Sequence, residues 1–258
     1  MSKRRRESAV LTPTLLTTEH PLYPIIAKAY ETLAEPTPTD VEVCTVCCMD
    51  KKIEADFFNY PINLLPERYL KEWYYSATVA GGVSREIFAY LLPRILECLA
   101  ADQELSYNGE EVTFSRYPVG MPQVWSDAEW QVLDQFQRQF LTHRMQHYDD
   151  GFLDGVICMF ARGQWDRETL LEQVLAFPDE LLATRLWRDW CEGVVWEPGR
   201  IWITSFWEEG EDEILHAFYT SNELYRRMER LALSSNTESS LATKALAVAA
   251  TIEFGQVA

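Results

Sequence analysis

Three groups of residues have types and spacing that could do chemistry. Cys44, Cys47 and Cys48 stand in the run CTVCC. A C-x-x-C pair brings two thiolates within reach of one metal ion, but zinc asks for four ligands. Cys48 becomes a third ligand only where the backbone turns sharply. No second C-x-x-C or C-x-x-H follows, and the histidines are His20, His143, His147 and His216. A thioredoxin-type redox pair would ask for a βαβ setting, which the surrounding pattern lacks. The three cysteines are read as structural, with no metal and no cofactor expected. A zinc-binding or metal-dependent enzyme built on Cys44, Cys47 and Cys48 is the alternative.

His143 and His147 are four apart, which puts them on one helix face in the geometry of a two-histidine metal site. The metalloprotease form of that motif carries a glutamate directly after the first histidine. Arg144 stands there instead, removing the general base and setting a cation beside the metal. Surface histidines at a helix C-terminus, where a cation is favoured, are the simpler reading.

Glu208, Glu209, Glu211, Asp212 and Glu213 put five carboxylates into six positions, broken by Gly210. At a helix N-terminus such a run is favourable by itself, because the exposed amides there are partly positive. The sharper reading is a docking patch for a cationic partner, with Trp207 as aromatic anchor and Trp196 and Trp202 nearby. Asp149, Asp150 and Asp154 form a second acidic patch. No G-x-S-x-G, P-loop or G-x-G-x-x-G is present, and no catalytic residue is assigned.

The elements that must position these groups are helical. In Leu64–Ala101, Ile87, Phe88, Leu91, Leu92, Ile95, Leu96 and Leu99 repeat on a 3.6-residue period, one broad apolar stripe. Ser84 is placed to cap that helix and Gly81-Gly82 to break what precedes it. Pro93 inside it removes one ladder bond and should kink it. The partner helix turns Tyr69, Leu70, Trp73, Tyr74 and Ala77 inward. A shorter stripe covers Pro21–Ala34. Gln103–Pro122, with Asn108-Gly109 as a turn, suggests at most one small β-hairpin. Ser126 and Glu129 make a capping box for a helix reaching about His147, and three shorter helices fill 149–192. Arg200–Trp207 suits a strand or a buried helical segment. One helix over Asp212–Leu233 and another over Glu238–Phe254 complete the chain.

The fold class is therefore all-α: irregularly stacked helical hairpins, α-solenoid-like or compact, with residues 1–19 as a flexible tail and 20–258 as a single helical domain. Composition narrows function further. Formal net charge is −17 over 258 residues, and MSKRRR is the basic exception. Such a body repels nucleic-acid phosphates and anionic lipid and favours a basic protein partner. No run approaches the roughly 18 apolar residues needed to span a bilayer, and no apolar stretch follows the basic start. A cytoplasmic location is expected, with Cys98 and Cys158 as buried small hydrophobes.

CTVCCMD, then LPERYLKEWYYSA and FAYLLPRILECLA, resemble a family of uncharacterised bacterial helical proteins in which a cysteine-rich segment precedes two such helices. The likeness covers residues 44–101 and implies no activity, so no functional residue carries over. By charge and architecture alone the chain is similar to the immunity proteins that neutralise bacterial toxins. The function expected is non-enzymatic: an acidic binding protein, in its specific form an immunity protein occluding a basic toxin domain. A general helical scaffold is a further alternative.

Overall fold

Apolar periodicity becomes helix almost wherever it occurs. The computed structural model describes residues 11–147, 151–192 and 200–257, and among them there is no strand. An isolated antiparallel bridge joins Val43 and Thr78. Where one helical domain is expected, the chain divides into two compact units. Unit 1 comprises residues up to Gly109 with Pro122–Phe140, and unit 2 comprises Glu110–Met121 with Leu141 onward.

Unit 1 holds α1 (Tyr23–Thr32), α2 (Lys51–Asp56), α3 (Glu67–Tyr75), α4 (Arg85–Ala100) and the first part of α5 (Asp127–Gln146). The α4 stripe from Ile87 to Leu99 is buried throughout. The α3 side chains Tyr69, Leu70, Trp73 and Tyr74 are buried too, and the Trp73 indole N–H donates to the Val41 carbonyl at 2.8 Å. Helix α4 continues through Pro93, with Ser84 capping its start by accepting from the Ile87 N–H. The Ser126–Glu129 capping box forms reciprocally: Ser126 N–H donates to Glu129 Oε2 at 2.7 Å, and Glu129 N–H to Ser126 Oγ.

The first turn of chain in unit 1 departs from the expected tail. Glu97, on the apolar face of α4, is fully buried. A buried carboxylate is costly unless donors surround it. Glu97 Oε2 accepts from Arg94 Nη1 at 2.7 Å and from the Tyr30 hydroxyl at 2.5 Å. The main-chain N–H groups of Thr14 and Leu15 donate to Oε1, and Thr14 Oγ1 donates to the Asn63 carbonyl. Residues 12–15 are thereby fastened down, while residues 1–10 lie outside the described chain.

Unit 2 holds α6 (Leu153–Arg162), α7 (Arg167–Leu175), α8 (Asp179–Cys191), α9 (Glu211–Tyr219), α10 (Asn222–Leu233) and α11 (Ser239–Val257). Helices α8, α10 and α11 pack on one another. Arg227 clamps the α7–α8 corner, donating to Asp179 and to the carbonyls of Leu175 and Phe177.

Three expectations change here. The span Asp212–Leu233 is two helices, because Ser221 accepts from the Leu224 N–H and starts α10 afresh. The hairpin suggested over 103–122 is absent; Glu110–Val112 is a 3-10 turn. Phe114 is instead drawn fully inward onto Phe160 and Trp165. Residues 201–204 are neither strand nor helix but an irregular segment leading into a turn. No helix among the described residues is long and apolar enough to cross a membrane.

Candidate functional site

Site geometry in unit 2 starts from a buried carboxyl. Asp154, in the first turn of α6, is only 3% exposed. Its Oδ2 accepts from the Thr204 main-chain N–H at 2.8 Å and the Trp207 indole N–H at 3.0 Å. Arg162, at the other end of α6, donates to the Phe206 carbonyl at 2.6 Å. Two residues two turns apart on one helix thus pin the irregular segment by its main chain, which explains why it forms no ladder of its own. Burial pushes the Asp154 carboxyl up to about 6 against the hydrogen bonds that favour its ionised form. Neither Asp154 Oδ1 nor the Tyr219 hydroxyl makes a hydrogen bond of normal geometry, although the two groups couple electrostatically and the Tyr219 phenol is raised by burial. Asp189 lies alongside, 3.0 Å from Arg185 and accepting from the Leu153 N–H; burial raises it too.

The pinned segment walls an open cleft of about 1090 Å³. Trp202 lies along it, stacked at 4.0 Å on Phe152. The lining also includes His216 of α9 and Phe254 of α11, the latter 67% exposed. Gly210, at φ +83°, makes the left-handed turn into α9, a conformation open to glycine without penalty. That turn sets Glu208 and Glu209 on one side and Asp212 and Glu213 on the other, all lining the cleft and all exposed.

The acidic run is therefore divided. Glu208, Glu209, Asp212 and Glu213 face the opening, whereas Glu211 is spent locally, on Arg167 at 2.7 Å and on the Glu208 N–H. Two other site expectations are corrected. Trp207 is 8% exposed with its indole N–H committed to Asp154, so it supports the wall and presents no free anchor. Asp154 is an interior acceptor and offers no carboxylate to a partner, because the loop amides need it. Asp149, Asp150 and Trp196 lie outside the described residues.

Trp202, expected near the acidic run, is a wall of the cleft; the lining residues that sequence reasoning missed are His216 and Phe254. Phe254 had a legible signal: the buried stripe of α11 runs Ala245, Val248, Ala249, Ile252, and Phe254 falls off it. His143 is buried, not on the surface as expected, and its ring stacks on that of His147 at 4.1 Å.

In unit 1 the cysteine loop does turn sharply. Cys44 Sγ lies 3.5 Å from Cys47 Sγ, and Cys47 Sγ lies 3.7 Å from Cys48 Sγ. The main-chain N–H groups of Cys47 and Val46 bring the Cys44 thiol down to about 7, and its hydrogen-bonded neighbour Cys47 is pushed up to about 11. Cys98 and Cys158 are buried as expected. Comparison with family models, curated proteins and solved structures yields no match to this chain.

Proposed function

We propose that the protein is a non-enzymatic acidic binding protein that receives a basic protein partner in the cleft of unit 2. One observation carries the reading: Glu208, Glu209, Asp212 and Glu213 line one opening with the exposed Phe254 ring. None of the four has an ion-pair partner among the described residues. Lysine and arginine side chains combine an apolar stem with a charged head, so the stem can lie on Phe254 and Trp202 while the head meets a carboxylate. The net charge of −17 would steer such a partner in and hold off nucleic acid and anionic membrane. In its specific form the partner is a basic toxin domain neutralised by occlusion, in the cytoplasm. That form draws on charge and helical architecture; the resemblance over residues 44–101 implies no activity and adds nothing to it.

The test compares the tagged wild-type chain with the combined Glu208→Lys, Glu209→Lys, Asp212→Lys and Glu213→Lys variant in a pull-down from native lysate at low and moderate salt. We expect the wild type to retain one basic protein at equal stoichiometry, to release it as salt rises, and the variant to retain none. Equal retention by both chains would remove the cleft from the interface. Retention of an acidic protein, or of nucleic acid, would overturn the reading altogether.

A further inference from the structure

The loop carrying the three clustered cysteines is held at both ends and open in the middle. Before it, Val43 bridges Thr78 and the Cys44 N–H donates to the Ala77 carbonyl at 2.7 Å. After it, Met49 is buried and its N–H returns to the Cys44 carbonyl at 3.1 Å. Asp50 then caps α2 through the Lys52 N–H. Between these anchors Val46 stands 88% exposed at the tip, Cys47 and Cys48 are exposed and Cys44 is half-buried. All three sulfur atoms lie within 4.8 Å of one another. The remaining cysteines, Cys98, Cys158 and Cys191, are buried or half-buried and stand apart from this group.

Two exposed thiols beside a third are a liability in an ordinary surface loop, since such thiols oxidise and cross-link. The same arrangement suits an ion. A tetrahedral zinc with sulfur at about 2.3 Å sets its ligand sulfurs about 3.8 Å apart. The two measured separations, 3.5 and 3.7 Å, are close to that edge. Closing the third separation to the same value takes a movement of about 1 Å or less. Soft thiolate ligands select zinc and monovalent copper over magnesium, calcium or manganese.

We infer that Cys44, Cys47 and Cys48 together form a three-thiolate site for one soft d10 cation, Zn²⁺ or Cu⁺. The loop supplies three ligands from five consecutive residues, and its exposure leaves a fourth position open to water or to an incoming donor. Zn²⁺ would use that position, and Cu⁺ would be satisfied by the three sulfurs alone. The site lies in unit 1 and stands independently of the acidic cleft of unit 2.

The test uses the full chain, reduced and handled under inert gas, titrated with Zn²⁺ against a chromogenic chelator and with Cu⁺ against a copper-selective competitor. Co²⁺ serves as the spectroscopic probe, through its thiolate-to-metal charge-transfer absorption. We expect one equivalent of Zn²⁺ or Cu⁺ to be withheld from its competitor. Cys44→Ser, Cys47→Ser and Cys48→Ser should each weaken binding about tenfold or more and diminish the cobalt band. Cys191→Ser should match the wild type in both. A reduced protein that surrenders both ions would overturn the site, as would unchanged affinity in the three serine variants. A Cys44–Cys47 disulfide in protein purified with reductant would overturn it as well.

Discussion

Asp154 is where burial and chemistry meet at the scale of one side chain. Its carboxyl is raised by desolvation to about 6 from an ordinary value of 3.8, so between those values the folded chain holds a proton that the unfolded chain has lost. Stability from this group is therefore full at low pH and declines as pH rises through that window. Asp154→Asn keeps an acceptor for the Thr204 and Trp207 N–H groups and removes the charge. The stability of this variant relative to wild type should increase by on the order of 3 kcal/mol from about pH 4 to about pH 7, read by denaturant melts across pH. A difference that stays constant with pH would show that Asp154 does not titrate in this range. The sequence conceals the role of Asp154 for a plain reason: an aspartate two residues before VICMF looks the same whether α6 turns it outward or inward. Glu97 poses the same problem, since E in LPRILE sits on the apolar face without announcing the donors that reach it from residues 14, 15, 30 and 94.

Among elements, caps decided the boundaries. Ser126 with Glu129, Asp166 with Thr169 and Ser84 with Ile87 are local, and each was legible from residue type and spacing. Ser221 uses the same chemistry, but apolar residues on both sides continue a helical spacing and hide the break. Ser221→Ala should lower stability by about 1 kcal/mol, while Ser221→Asp should hold it near wild type; thermal melts of the two variants check this. Equal stability of Ser221→Ala and wild type would mean that α9 and α10 are separated by packing alone. The irregular wall over 201–207 is the opposite case. Its β-branched and aromatic composition suits a strand, yet its amide and carbonyl partners are Asp154 and Arg162 on α6. Nothing in residues 200–207 encodes partners 44 to 53 residues away.

For the whole molecule, charge is the dominant feature. At −17 mutual repulsion opposes compaction, and added salt screens it. Raising NaCl from roughly 20 mM to roughly 300 mM shortens the screening length from about 20 Å to about 6 Å, and the melting midpoint should rise. A midpoint that falls would show that the ion pairs around Arg85, Arg167 and Arg227 outweigh the net repulsion. The two-unit division also belongs to this scale. Residues 110–121 join unit 2 although they precede Pro122–Phe140 of unit 1, an exchange that no change in composition along the chain marks.

By itself the sequence determined the all-α class, the helical stripes, most caps, the buried Cys98 and Cys158, and the acidic balance. These follow from nearest-neighbour periodicity and from summed charge, both readable along one strand of residues. Only the tertiary structure decided which of the five clustered carboxylates face an opening, that Trp207 and Asp154 are tied to each other, and that three thiols converge. The physical reason is shared: each depends on a backbone turn or a partner distant in sequence. Side-chain direction there is set by packing, which periodicity does not encode.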